Sequence, residues 1–253
     1  MTSPLLINYP STDKLRIENF LTKLLPYLNL PQAIFVGGLA LGHYLGKNNI
    51  HLNRPFNDLD LVIPSLSAIS PKAVSSGDFL VSHFHDYAKT NELTTPPRDR
   101  FYLVLVDPGN QIKIDIFDTE PFPPTSTVLV SFGGFSLNLA SPQNLLCHLV
   151  WNAYGIINNE PIQAKMIPSI TSFWPLVNLS LASSIWTEFY SFTVPLKAVW
   201  EKIQNASQSH PQLLKEKFFH RSPTSAPCPS CLKDSSWPLT PQSEIYRLMG
   251  YLE

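Results

Sequence analysis

Charge is scarce in this chain. Only 15% of its 253 residues are charged, and 18 basic side chains stand against 19 acidic ones for a net charge of −1. No global basic field points to a nucleic-acid partner, and there is no Lys/Arg-rich stripe of the kind a large tRNA footprint needs. Cysteine is nearly absent as well: three residues, an odd number, form no disulfide framework. No apolar run approaches the roughly 18 residues that cross a bilayer. The opening stretch, Met1-Thr-Ser-Pro-Leu-Leu-Ile-Asn-Tyr-Pro10, lacks the basic start and unbroken apolar segment of a signal peptide. These absences predict a soluble, cytoplasmic protein with no membrane partner, in which the Asn178-Leu-Ser180 and Asn205-Ala-Ser207 triplets carry no sugar. No internal repeat is visible, and composition leaves the oligomeric state open.

Apolar residues are plentiful by contrast. At 44% hydrophobic content the chain can bury a substantial core, and wholesale disorder is excluded. Ile17, Phe20, Leu21, Leu24, Leu25 and Leu28 recur at helical spacing, which predicts an amphipathic helix over 12–28 capped by Ser11 or Thr12. A short buried strand is expected at Ala33–Val36, then a helix over Leu39–Leu45 that Gly46 ends. A strand over Asn57–Ile63 stops at Pro64, and 65–78 reads as a loop around a poorly defined helix. Two runs rich in branched residues, Phe101–Val106 and Gln111–Phe117, flank a Pro-Gly turn and predict a hairpin. A second hairpin is expected from Val128–Val130 and Phe135–Leu139 around Gly133-Gly134. From Ser141 the period lengthens to a helical one, with Ser141 as cap and Pro142 in the first turn. Helices are predicted over 142–157, 161–178, 182–206 and 241–252, with breaks at Pro168, Pro175 and Pro195. The fold class is therefore α+β: a mixed-sheet core with flanking helices over 1–140, then a helical domain over 141–253.

The chemistry concentrates in Phe35-Val-Gly-Gly-Leu-Ala-Leu and Phe56-Asn-Asp-Leu-Asp-Leu-Val-Ile63. Strand side chains alternate, so Asp58 and Asp60 share a face opposite Leu59, Leu61 and Ile63. Two like charges side by side repel, and a divalent cation between them relieves the repulsion. Gly37 and Gly38 stand at a helix start, where backbone N–H groups and the dipole suit a phosphate. On the second hairpin strand Lys113, Asp115 and Phe117 share one face, which makes Asp115 a third carboxylate; Asp118 faces the other way. Together these parts read as a metal-dependent site for a nucleoside triphosphate.

Gly37-Gly38, Asp58-Leu-Asp60 and Ile114-Asp-Ile116 also resemble the DNA polymerase β-type nucleotidyltransferase superfamily, and most of all its small bacterial members of the abortive-infection toxin type. The resemblance covers roughly residues 30–180. It implies a nucleotidyltransferase-type core that uses Mg²⁺ or Mn²⁺ and transfers a nucleoside monophosphate from an NTP such as ATP to an acceptor. Asp58, Asp60 and Asp115 would be the metal ligands and catalytic carboxylates, with Asp115 helping to deprotonate the acceptor hydroxyl. The acceptor is left open among a tRNA 3′ end, a protein hydroxyl and a small molecule, as is a toxin, resistance or housekeeping role. One departure stands out: these relatives often carry a small hydroxyl residue two positions before the first Asp, where this chain has Phe56. The alternative is a catalytically inactive relative that binds a nucleotide or a protein partner without turnover.

Other residues are candidates of lower weight. Arg54 would pair with a phosphate or with a neighbouring Asp. Lys165 matches a lysine that the resembling proteins often carry after the core, and it would reach the triphosphate or simply solvate a helix face. His220 and Cys228-Pro-Ser-Cys231 have the spacing of a zinc knuckle, with His210, Cys147 or His148 as fourth ligand for a structural Zn²⁺. The bland alternative is a pair of reduced surface cysteines. His43 and His51 are scattered, and His83-Phe-His85 alternates like a strand pair with no further support as a metal site.

Overall fold

The computed structural model describes residues 4–6, 9–51, 56–86, 101–117, 126–190 and 193–215. Arg54, Asp118, His220, Cys228, Cys231 and the helix expected over 241–252 lie outside them.

A seven-stranded mixed sheet forms the first of two compact units. Its strands are β1 (Ile34–Val36), β2 (Asp58–Val62), β3 (Leu80–Asp86), β4 (Phe101–Asp107), β5 (Ile112–Phe117), β6 (Thr127–Phe132) and β7 (Phe135–Ala140), in the order β3-β4-β5-β2-β1-β7-β6. Strand β2 is the middle strand of the seven, antiparallel to β1 and parallel to β5. Hairpin β4–β5 is antiparallel, as its alternating apolar runs predict. Its turn is held by Asp107, which accepts from the Gly109 and Asn110 amides at 3.0 and 3.2 Å. That carboxylate is fully buried and receives the Lys23 ammonium at 3.2 Å, so it ties the turn to the first helix rather than serving any chemistry.

That helix, α1, spans Ser11–Leu24 and continues as a 3₁₀ turn over Leu25–Tyr27. Its N-cap is Pro10 and no side chain caps it, so the expected cap at Ser11 or Thr12 is not used. The next helix, α2 (Gly37–Lys47), starts two residues earlier than the sequence suggests and runs through Gly46, with Asn48 as C-cap. The early start matters because it puts both glycines of the pair in the first helical turn. Residues 65–78 contain a 3₁₀ turn and a one-turn helix, α3 (Lys72–Ser75). Strands β6 and β7 surround the Gly133-Gly134 turn and are longer than expected.

The second unit holds Ser126 and the described residues from Ala140 onward. Its helices are α4 (Pro142–Ala153), α5 (Met166–Phe173), α6 (Leu179–Phe189) and α7 (Leu196–Ser209). Ser141 does cap α4, accepting from the Asn144 amide at 3.3 Å. Over 161–178 the chain forms a short strand at Ile162–Gln163, the helix α5, which runs through Pro168 without the expected break, and a 3₁₀ turn over Trp174–Leu176 at the expected break, Pro175. The stretch 182–206 is divided between two helices at the expected break, with Pro195 as the N-cap of the second. Trp186 stacks on Tyr190 at 5.3 Å and donates to the Val194 carbonyl at 2.9 Å, which staples the end of α6 to the following chain.

Burial gives this helical unit a pH response. His148 on α4 is held down at about 4 because burial disfavours its charged form. Its ordinary value of about 6.5 applies in the unfolded chain, which therefore binds more protons through that window. Stability is then expected to fall as pH drops from about 6.5 to 4, by roughly 2 kcal/mol once the partial exposure of the ring is allowed for. Urea unfolding of the wild type and of His148→Gln at pH 7 and pH 4.5 checks this: the variant should lose less stability between the two values.

Candidate active site

Pairing between three strands assembles the site. Parallel pairing of β2 with β5 sets Asp58 opposite Lys113 and Asp60 opposite Asp115. Directly paired residues point to the same face, so these four side chains form a block two strands wide and two alternate positions long. Neighbouring strands lie about 4.8 Å apart, close enough for the carboxylates to feel one another. Leu59, Leu61, Ile112, Ile114 and Ile116 take the opposite face and are fully buried. Their burial locks the register, because a slip of one residue would turn every charge inward.

On the other side of β2, Asp60 pairs with Val36, the N-cap of α2. Gly37 follows with φ +56°, and a Cβ at that position would stand 1.8 Å from Asp60 Oδ2. The Asp60 carboxylate thus lies directly against the first residue of α2, at the positive end of the helix dipole, where an anion is stabilised by about 0.3–1 kcal/mol. Only glycine permits both the backbone turn and this close approach. Gly38 is anchored through its carbonyl, which accepts from the Tyr9 hydroxyl at 3.0 Å.

Asp115 is the most enclosed of the three carboxylates, at 5% exposure, whereas Asp58 and Asp60 are half-buried. Both its oxygens have partners: the Tyr102 hydroxyl donates to Oδ1 at 2.5 Å, and the Lys113 ammonium lies 2.5 Å from Oδ2. Burial acts to lower the Lys113 pKa. The charge and hydrogen bond of Asp115, with the charges of Asp58 and Asp60 behind them, outweigh it and hold the ammonium above its ordinary value. Tyr102 stacks on Phe117, its partner across β4–β5, at 5.0 Å, which fixes the hydroxyl over Asp115.

Entry to β2 is fixed from α1. The Arg16 guanidinium donates to the Phe56 carbonyl, to Asn57 Oδ1 at 3.3 Å and to the Asn110 carbonyl at 3.4 Å, while Asp13 pairs with it at 3.0 Å. Phe56 itself is buried edge-on against Tyr9, with ring centroids 5.5 Å apart, so its side chain belongs to the core. Sequence reasoning missed Arg16 and Tyr102, and placed Lys113 on the right face without a role for it. Nothing local marks Arg16 or Tyr102, because their partners lie 40 and 13 residues away.

The remaining candidates are placed as follows. Lys165 is exposed, at the N-cap of α5, and belongs to the helical unit. His43 is buried within α2 and His51 is exposed; the backbone of His83 and His85 lies in β3, and their side chains are outside the described part. Cys147 is buried, its thiol donates to the Ala182 carbonyl at 3.2 Å, and burial pushes it up to about 12, all signs of a packing residue. Among the described residues no three His, Cys, Asp or Glu side chains are gathered as a ready metal cluster.

The donor chemistry nevertheless fits Mg²⁺ carried with a nucleotide. Asp58 and Asp60 offer hard oxygens on one face, and magnesium takes one or two carboxylates together with substrate phosphates and water. Each oxygen of Asp115 already has one partner, the Tyr102 hydroxyl or the Lys113 ammonium. No protein-family model matches the chain, and no curated protein sequence does. Among solved structures it aligns with the antibiotic-resistance factor ANT(2'')-Ia (12% identity, 78% of this chain and 96% of that one, TM-score 0.39). It aligns also with an antigenic nucleotidyltransferase-like protein from Paracoccidioides brasiliensis (17% identity, 78% and 86%, TM-score 0.39). A third alignment is with JHP933 from Helicobacter pylori (12% identity, 81% and 94%, TM-score 0.31). Likeness at this level assigns neither a reaction nor a substrate.

Proposed function

We propose that this chain is a metal-dependent nucleotidyltransferase that moves a nucleoside monophosphate from an NTP to a hydroxyl acceptor. The observation that carries the reading is the register: Asp58, Asp60 and Asp115 stand on one face of two parallel strands, with Asp60 against the first residue of α2. Strand pairing sets the three carboxylates on one face, and a glycine stands where a Cβ would meet one of them.

In this reading Asp58 and Asp60 hold the metal–triphosphate, and the amides opening α2 at Gly37 and Gly38 receive phosphate oxygens. The acceptor oxygen bonds to the α-phosphorus as the bond from that phosphorus to the β-phosphate oxygen breaks. Pyrophosphate leaves with the electron pair, and a carboxylate of the same face takes up the acceptor's proton. A bound divalent cation supplies Lewis-acid stabilisation of the charge that builds on the phosphoryl oxygens. Tyr102 keeps Asp115 aimed across the face, and Arg16 keeps the start of β2 in place. Near-neutral charge favours a small-molecule or protein hydroxyl over a large tRNA as acceptor.

A second reading, nucleotide binding without turnover, draws on one observation: Lys113 and Tyr102 already partner the two oxygens of Asp115. Calorimetry with ATP, CTP, GTP and UTP, with and without Mg²⁺, tests the shared part of both readings. Metal-dependent binding of at least one NTP is expected, and binding indifferent to metal would count against the site. Release of pyrophosphate in the presence of cell lysate or an aminoglycoside panel separates enzyme from binding module.

A further inference from the structure

We propose that Lys113 is a built-in counter-ion that takes the place of a second metal ion, so that the site binds a single divalent cation with its nucleotide. The inference rests on the metal–nucleotide reading of this face and deepens it.

The geometry points this way through the four-residue block. Lys113 is the direct partner of Asp58 on β2 and stands two residues before Asp115, the direct partner of Asp60. Its ammonium is therefore a corner of the same block as the three carboxylates, and it sits 2.5 Å from Asp115 Oδ2. The Tyr102 hydroxyl occupies the other oxygen of that carboxylate. A metal ion at Asp115 would settle beside a fixed positive charge, which opposes a second cation there.

Charge counting leads to the same place. Three carboxylates and one ammonium leave the block at −2 before a nucleotide binds, where the carboxylates alone would leave it at −3. Two cations about 3.5–4 Å apart repel strongly, and a site bears them only with enough anionic ligands. The Lys113 side chain keeps 31% of its surface exposed, so it is not sealed within the sheet. On that face it offers a positive charge and N–H donors to an oxygen, part of what a second ion would contribute. Asp115 then acts as the positioning residue for Lys113, which accounts for its deep burial and double pairing.

Counting bound Mn²⁺ by electron paramagnetic resonance tests this on the full chain, with the α,β-methylene analogues of ATP, CTP, GTP and UTP each in turn. Wild type is expected to bind one Mn²⁺ per chain with the preferred analogue, and Lys113→Met two. Lys113→Gln, which keeps a donor but no charge, should also bind two and covers a Lys113→Met protein that fails to fold. Two ions in the wild type, or one in both wild type and a folded neutral variant, would overturn the inference while leaving the proposed function standing. No Mn²⁺ with any analogue, in wild type or variants, would overturn both.

Discussion

Asp60→Asn is expected to lower turnover by about 10³-fold or more and to abolish metal-dependent NTP binding, with little change in melting temperature. The substitution keeps the shape of the side chain against Gly37 while removing the charge that faces the α2 dipole and that the proposed function assigns to a cation. A thousandfold loss is about 4 kcal/mol of transition-state stabilisation, a size ordinary for a preorganised charge at a reacting phosphorus and beyond what a surface carboxylate supplies. The helix dipole pulls the other way on stability, since losing an anion at an N-terminus costs about 0.3–1 kcal/mol. Asp58→Asn should match Asp60→Asn in activity without that small stability cost. Steady-state pyrophosphate release together with thermal unfolding of both variants checks this. A variant with near-normal turnover would remove the carboxylate from the chemistry and leave it as a helix partner.

Gly37→Ala is expected to be the most damaging single-methyl change in the sheet-bearing unit. Its Cβ would fall 1.8 Å from Asp60 Oδ2, and the backbone φ of +56° is one that side-chain-bearing residues adopt at a cost. The strain alone costs about 1–3 kcal/mol, and the clash must be relieved by moving Asp60 or the start of α2. Stability should fall by about 3 kcal/mol or more, and turnover by at least about 10²-fold, because a shift near 1 Å at such a site carries a penalty of that order. Gly77→Ala is the matched control: its φ is +79°, yet nothing lies within 4 Å of the added methyl. It should cost only the backbone strain and leave turnover unchanged. Chemical denaturation and turnover on the two variants decide it, and equal effects would mean that Gly37 is needed for its backbone angle alone.

The two variants differ in what they ask of the sequence. Asp58 and Asp60 were readable as a same-face pair because strand alternation is a local rule, and Asp115 was readable on its own strand for the same reason. Gly37 was readable only as a glycine at a turn; that it clears space for Asp60 depends on the pairing of β1 with β2. Arg16 carries no signal of its own in the sequence, yet its guanidinium holds the Phe56 carbonyl at the start of β2. Lys113 reads only as sharing a strand face with Asp115, and the fold closes its ammonium on that carboxylate. The helix boundaries slipped over 161–178: the break expected at Pro168 is absent because that proline stands in the first turn of α5, and Ile162–Gln163 form a short strand.

From its own residues the chain settled which positions alternate, where Ser141 caps a helix, and which side chains have the chemistry to hold a metal–nucleotide; each follows from local backbone geometry and spacing. Tertiary structure alone decided that Asp60 stands beside Asp115 and not one residue out of step, and that Lys113 and Tyr102 occupy the third carboxylate. The parallel pairing of β2 with β5 joins segments some fifty residues apart, and its register is selected by burying Leu59 and Leu61 with Ile112, Ile114 and Ile116 on one shared face. No short window of sequence contains both halves of that constraint.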